Sequence, residues 1–386
     1  MTSALFGCGD GERQRSLSLR GCALGVAPLR RARYRVGMRY RPLGSTGMQV
    51  STYCLGAMMY GAMGNTDHED CVKAINIALD AGVNFIDTAD VYSRGESEEI
   101  VGEAIRTRRD EVVLATKVHG VMGESILERG NSRRWIIAEV ENSLRRLGTD
   151  HIDLYQIHRP DPTVDIEETL SALTDLIHAG KVRAIGSSTF PAELIVESHW
   201  AAERRGLERF RCEQPPYSIF NRGIEAAVLP VAERYGMGVI IWSPLASGWL
   251  TGRYRQASDI DLSRGRAARF PGRWDPTLPS NQHKLEVVAE LEAIAHDAGV
   301  SLTHLALAFT VTHPGVTSAI IGPRTIDHLQ DLLAGADVEL DDETLDRIDA
   351  VVAPGTNLVV GETGWTPPAL EETALRRRPA GTRSAA

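Results

Sequence analysis

The chain has 386 residues, 43% of them hydrophobic, and a formal net charge of −9 from 51 acidic and 42 basic side chains. That balance excludes a general nucleic-acid binder, whose phosphate contacts need a basic surface, and no apolar run approaches the roughly 18 residues of a membrane span. The five cysteines, Cys8, Cys22, Cys54, Cys71 and Cys212, are odd in number, scattered and never in a C-x-x-C pair, which reads as free thiols in a reducing cytoplasm.

Residues 1–37 stand apart: rich in arginine, free of lysine, and without a period of 2 or 3.6. They read as a disordered extension or an early start rather than a transit segment, because Met38-Arg39-Tyr40-Arg41-Pro42-Leu43 makes a natural beginning. Arg39–Leu43 and Met48–Val50 flank Gly44-Ser45-Thr46-Gly47, which predicts a small hairpin. Strands and helices then alternate. Thr52–Leu55 ends at Gly56, and a helix over Asp67–Ala81 puts Cys71, Val72, Ile75, Ala78 and Leu79 on one face. The strand from Asn84 ends on Asp87, and Ser97-Glu98-Glu99 opens a helix. Val112–Thr116 ends on Lys117 and leads to a helix over Ser132–Leu147. Ile152–Ile157 ends on His158, followed by a helix over Ile166–Ala179.

Further strands are predicted at Ala184–Ser187, Arg211–Gln214, Gly238–Trp242 and Thr317–Ile321, with helices at about 192–205, 224–235, 284–298, 302–312 and 325–333. Apart from the last, the strand ends fall 26 to 41 residues apart, one βα unit each. Eight such units predict an α/β fold, a single (β/α)8 barrel over residues 38–352 with an N-terminal β-hairpin. A polar loop at about 251–280 fills the long interval, and 353–386 reads as a partly disordered tail that frays after Pro368.

Three successive strand ends carry an acid, a base and an imidazole, with a phenol just past the first: Asp87, Lys117, His158 and Tyr92. In a parallel barrel these ends lie side by side, where such folds keep their chemistry. With no cysteine or serine nucleophile among them, the set points to proton transfer to a carbonyl. A free phenol is a sluggish acid near neutrality, and a neighbouring ammonium favours the phenolate, so Lys117 is expected to make Tyr92 the stronger acid. Asp87 keeps Lys117 charged, and His158 orients the substrate oxygen by a hydrogen bond. Each residue alone has a plain reading as a cap or a wall residue; the joint arrangement carries the argument. His119, His151 and Asp153 read as structural. No histidine pair has HExxH or another ligand spacing, so no metal is expected. No Gly-x-Gly-x-x-Gly opens a helix, so no Rossmann domain is expected either.

The stretches Phe85–Tyr92, Ala115-Thr116-Lys117, Leu154–Pro160 and Trp242-Ser243-Pro244-Leu245 together resemble the aldo-keto reductases, and the likeness covers residues 38 to about 352. The resemblance implies a catalytic tetrad of Asp87, Tyr92, Lys117 and His158, and a cofactor NADPH lying across the barrel mouth. It gives the carboxamide to Ser188 and Gln214, with Thr189 beside them, and the nicotinamide face to Trp242. The pyrophosphate falls to Ser243, Pro244, Leu245, Ser247, Gly248 and Arg253. The remaining cofactor contacts fall to Gly56, Ala57, Met58, Gly322, Arg324 and His328, with Arg324 at the 2′-phosphate. Two positions depart from the family pattern: Thr189 follows Ser188 where asparagine is commoner, and Leu332 stands where an asparagine usually faces the adenine.

The function so implied is NADPH-dependent reduction of an aldehyde or ketone, in the cytoplasm, with Tyr92 as proton donor. The alternatives are a cofactor-sensing regulatory subunit like the potassium-channel β subunits, which typically carry asparagine at the His158 position, and an NAD(P)-dependent alcohol or sugar dehydrogenase. The partner is a small-molecule carbonyl; nucleic acid and membrane are not expected, and the oligomeric state is not legible. Met58, Met59, Tyr60, Arg159, Trp249, Phe270 and Trp274 are candidate pocket residues.

Overall fold

A computed structural model of the chain describes residues 37–263, 265–359 and 364–372. The disorder expected for 1–37 lies outside them except at Gly37, as does the tail past 372. Among the described residues no single helix is long and apolar enough to cross a membrane.

The hairpin forms as strands β1 (Tyr40–Pro42) and β2 (Gln49–Ser51), paired antiparallel. Eight parallel strands then follow in chain order: β3 (Tyr53–Gly56), β4 (Phe85–Asp87), β5 (Val113–Val118), β6 (Ile152–Ile157), β7 (Val182–Ser188), β8 (Cys212–Gln214), β9 (Gly238–Ile241) and β10 (Ser318–Ile321). Strand β10 pairs back onto β3, closing a barrel, with the hairpin as a separate sheet. The strands read as near-continuous apolar runs because both faces are covered. Cys54, Phe85, Ala115, Leu154, Ala184, Cys212 and Ile240 form the inner cluster together with Leu43 and Val50 of the hairpin, while Leu55, Ile86, Leu114, Tyr155 and Ile157 join the layer shared with the helices.

The hairpin plugs the end where the strands begin. Ser45 N–H donates to Gly236 O at 2.9 Å, just ahead of β9. Gly44 holds φ +53°, and a Cβ there would lie 2.3 Å from the Gly238 nitrogen, so only glycine lets the hairpin tip seat against the barrel. With one end plugged, the mouth at the strand C-termini is left for a ligand.

The helices are α1 (His68–Asp80), α2 (Glu96–Ile105), α3 (Arg133–Leu147), α4 (Ile166–His178), α5 (Ala192–Arg205), α6 (Val228–Arg234), α7 (Gly265–Arg269), α8 (Pro279–Asp297), α9 (Leu302–Thr312), α10 (Ile326–Ala334), α11 (Asp342–Val351) and α12 (Pro368–Glu371). The starts of α1, α3, α4 and α9 are fixed by side-chain caps: Asp67, Ser132, Asp165 and Ser301 accept first-turn backbone N–H groups.

Three elements differ from the sequence reading. The helix expected over 224–235 is a single turn at Gly223–Ala226 and then α6, because Pro230 lacks the N–H that a continuous helix would need there; within the first turn of α6 that loss is harmless. Helix α8 starts at Pro279 rather than 284, proline being suited to the first helical position. The helix after Gly322-Pro323-Arg324 is not the last: α11 follows, capped by Asp341 accepting from Thr344 N–H at 2.9 Å, with Arg347 reaching Asp297 at 2.9 Å on α8. Its polar sequence hid it from an apolar period.

Beyond α11 the chain stays on the barrel as far as residue 358. Arg222 N–H donates to Thr356 O at 2.9 Å and Leu358 N–H to Phe220 O at 2.8 Å, while Asn357 Oδ1 accepts from Gly223 N–H at 2.7 Å. Two of these are backbone pairings, which leave no hydropathy signature.

Candidate active site

Asp87, Lys117 and Gln156 stand at the ends of three successive strands: Asp87 lies opposite Ala115 across β4–β5, two residues before Lys117, and Lys117 lies opposite Gln156 across β5–β6. Even spacing along each strand turns these side chains inward. Lys117 and Gln156 are fully buried, and Asp87 is 2% exposed.

The three ammonium protons of Lys117 are all placed. Nζ donates to Asp87 Oδ2 at 2.6 Å, to Thr88 O at 2.8 Å and to Tyr92 Oη at 3.2 Å. Burial works to neutralise Lys117, but the Asp87 carboxylate and the Tyr92 phenol outweigh it and hold its pKa above 10.5. Since Lys117 donates to the phenol, the proton of Tyr92 is free to go elsewhere, toward the mouth. The His158 ring stands edge-on to Tyr92 with centroids 5.7 Å apart. Burial first, then the charges of Lys117, Arg159 and His119, push His158 well below 6.5, so it is a neutral imidazole at physiological pH.

The turn carrying Tyr92 is strained and braced. Ser93 and Arg94 sit at φ 50° and 57° and Gly95 at φ 96°, the left-handed region that side chains rarely adopt. Beneath it, Arg146 of α3 donates to Glu98 of α2 at 2.6 Å and pairs with Glu139 at 2.5 Å. A Cβ at Gly95 would lie 2.5 Å from Arg146 Cδ.

The second carboxylate oxygen of Asp87 ties the tetrad to the next strands. Oδ1 accepts from Gln156 Nε2 at 3.2 Å and from Gln214 Nε2 at 2.8 Å. Gln214 Nε2 also lies 3.3 Å from Gln156 Oε1, which spends its amine and leaves its Oε1 without a donor among the described residues. A buried carbonyl aimed at the mouth fits the amine of a carboxamide. Ser188, opposite Gln214 across β7–β8, donates its hydroxyl to Gln214 O at 2.9 Å and keeps acceptor capacity. Thr189 holds φ 58° and turns its hydroxyl back to Ser188 O at 2.6 Å. Behind them Glu213 is fully buried, accepting from Ser187 Oγ and from Phe190 N–H; burial pushes it up to about 8.

Trp242 follows β9. The Arg159 guanidinium carbon lies 6.0 Å from its ring centroid, and its Nε1 is buried without a partner among the described residues. The C-terminal segment also reaches this ring, for a Cβ on Gly364 would come within 2.7 Å of Trp242 Cζ2 and 3.0 Å of Thr189 Cγ2.

After Trp242 the chain turns through Ser243 (φ 61°), Ala246 (φ 47°), Ser247 (φ 59°) and Gly248 (φ 100°). Ser247 N–H donates to Ser243 Oγ at 3.0 Å, while Ala246 and Gly248 N–H donate to Ser243 O and Leu245 O. Three of the turn's backbone N–H groups are thus spent within it. Pro244 is buried and Leu245 half-buried. Gly56 and Ala57 are buried, with Ala57 N–H donating to Asp87 O at 2.8 Å, and Met58 is half-buried beside them. Arg253, Gly322, Arg324 and His328 are exposed, and Thr325 caps α10 by accepting from His328 N–H.

The structure therefore brings Asp87, Tyr92, Lys117, His158, Ser188 and Gln214 together, with Tyr92 and His158 half-buried, sets half-buried Trp242 near Arg159, and leaves the arginine end open. Of the candidate pocket residues, Tyr60, Trp249 and Trp274 are core, at most 2% exposed, and Phe270 is half exposed on the outer loop; aromatic rings on loops were pulled into the apolar layer by area. Gln156 escaped the sequence reading, although a polar residue two before His158 on an apolar strand marks the inner face. Among the described residues no three His, Cys, Asp or Glu side chains gather as metal ligands.

Comparison with known proteins agrees with this geometry. The model of the aldo/keto reductase family matches residues 53–353. The chain is 36% identical over 342 residues to the aldo-keto reductase YhdN of Bacillus subtilis, covering 87% of this chain and all of the relative. It is 36% identical over 322 residues to a protein of Oryza sativa subsp. japonica named "Probable voltage-gated potassium channel subunit beta" (82% of this chain, 97% of the relative). A further Bacillus subtilis protein, the uncharacterized oxidoreductase YrpG, is 35% identical over 331 residues (82% and 97%).

Proposed function

The chain belongs to the aldo/keto reductase family, and on that premise we propose that it reduces an aldehyde or ketone to an alcohol with NADPH, using Tyr92 as the proton donor. The observation that carries this reading is the closure of Lys117 on Asp87, Thr88 O and Tyr92 Oη, which fixes the charge beside the phenol and directs the phenol's own proton outward.

When bound, NADPH supplies the hydride. Gln214 Oε1 and Ser188 Oγ hold the carboxamide, Trp242 offers its face to the nicotinamide, and the turn at Ser243–Gly248 with Arg253 takes the pyrophosphate. Gly56, Ala57 and Met58 border the mouth, and Arg324 with His328 receive the 2′-phosphate end. Tyr92 gives its proton to the alkoxide oxygen as charge develops there, and the phenolate left behind is stabilised by Lys117 at 3.2 Å. Neutral His158 donates a hydrogen bond to the same oxygen and orients it. Asp87 accepts from Lys117, Gln156 and Gln214 at once, which fixes the ammonium in place beside the phenol.

Steady-state NADPH oxidation with a panel of aldehydes and ketones tests the reading, with Tyr92→Phe as the control. Turnover lost in that variant while NADPH still binds supports it; a panel without turnover beside tight NADPH binding favours a channel-subunit role, as the rice relative is named.

A further inference from the structure

Several arginines in this molecule are at least half-buried, and nearly every one is spent. Arg109 meets Asp153 at 2.7 Å, Arg146 meets Glu98 at 2.6 Å, and Arg222 meets Asp349 at 2.6 Å and Glu225 at 2.8 Å. Arg41 gives its guanidinium to the carbonyls of Val311 and Val316. Arg159, inside the candidate site, differs from these. One nitrogen, Nη1, turns back onto His158 O at 2.5 Å, and no carboxylate lies within ion-pair distance of it among the described residues.

Its position is inside the candidate site. The residue directly follows His158, the guanidinium lies 6.0 Å from the Trp242 ring centroid, and its charge bears on both His158 and Tyr92. The carboxylate whose charge reaches it is Glu213, which burial keeps largely protonated at neutral pH. A half-buried guanidinium without a counter-ion is costly, and an arriving oxyanion relieves that cost with charge-assisted hydrogen bonds. The phosphates of the cofactor belong at the other end of the groove, beside Arg253 and Arg324; what arrives between Tyr92 and Trp242 is the uncharged carboxamide ring and the substrate.

We propose that Arg159 is an anion subsite, and that the carbonyl substrate carries a carboxylate or phosphate close to its reacting carbon. This rests on the reductase reading above, and the test separates the two. NADPH-loaded enzyme is assayed on matched pairs: 3-carboxybenzaldehyde against benzaldehyde, succinic semialdehyde against butanal, and glyceraldehyde 3-phosphate against glyceraldehyde. The first two pairs probe a carboxylate and the third a phosphate. The wild type is expected to favour the anionic member of at least one pair by about 10- to 150-fold in kcat/KM. Arg159→Gln should collapse that ratio toward one and Arg159→Lys should retain part of it. In parallel, benzoate, succinate and inorganic phosphate are titrated into the NADP-loaded proteins with tryptophan fluorescence as the readout. At least one should bind the wild type and lose affinity in Arg159→Gln.

A wild-type ratio near one in all three pairs overturns the subsite, as does a ratio that Arg159→Gln leaves unchanged. Weaker NADPH binding in Arg159→Gln would assign the guanidinium to the cofactor and also overturn it. Should no aldehyde turn over at all, the reductase reading falls, while the anion titration still decides the subsite. Circular dichroism of both variants guards against misfolding, with Arg159→Lys as the milder change.

Discussion

The two ends of the candidate site are built on opposite plans. At the tetrad end the charged pair has its partners before any ligand arrives: Asp87 accepts three hydrogen bonds, Lys117 donates three, and both are buried. At the other end Arg253, Arg324 and His328 stand in solvent, and the turn between spends the N–H groups of Ala246, Ser247 and Gly248 on itself. A group that must act on a reacting atom gains from being fixed in advance at low dielectric. A group that merely holds a phosphate can wait in water and be ordered on binding. The difference teaches where substitutions should be felt: through the rate at the sealed end, and through cofactor affinity at the open one.

The sharpest way to break this contrast is Tyr92→Phe, which removes the proton donor and little else. The expected fall in kcat on a good aldehyde is about 10²- to 10⁴-fold, with NADPH affinity preserved; near wild-type kcat would remove Tyr92 from the role. Lys117→Met comes next. It deprives the developing phenolate of its ammonium, so the rate falls. It also leaves the Asp87 carboxylate buried without its cation, at a cost of about 3–5 kcal/mol, which a lowered Tm would reveal.

Glu213 tests the sealed end through stability. Its pKa is raised from 4.5 to about 8 by burial, so the native state holds a proton that the unfolded chain has lost. The stabilisation is complete below about pH 4.5 and is lost as pH rises through about 8. Glu213→Gln, which mimics the protonated acid, should therefore gain Tm over the wild type progressively between those values. A Tm difference flat in pH would show Glu213 to be ionised throughout.

The smallest effect belongs to the open end. Arg324→Ala should weaken NADPH by about 5- to 10-fold and leave NADH nearly untouched, because an exposed pair is screened by solvent. The loss should shrink as salt rises. Equal weakening of both cofactors would leave Arg253 as the next candidate for the 2′-phosphate.

Much of the molecule was legible before any coordinates. Eight apolar runs, most of them one βα unit apart, specify the barrel through local propensity, and the tetrad could be read because Asp87, Lys117 and His158 stand at strand ends in that repeat with Tyr92 just past the first. What escaped had no such mark. Helix α11 is too polar to show a period, and the pairing of residues 356–358 with 220–223 runs through backbone atoms. Trp249 and Trp274 looked like pocket residues because hydropathy says that a ring will be covered but not by what.

The sequence by itself determined the alternation of elements and the residue types at the strand ends, since both follow from short-range periodicity and capping. Only the tertiary structure decided which polar groups satisfy one another. Asp87, Gln156 and Gln214 come from three strands, and Arg159 is left without a carboxylate while Arg146 gains two. Hydrogen-bond accounting is a property of neighbours in space, and closing the barrel is what makes residues 127 apart neighbours.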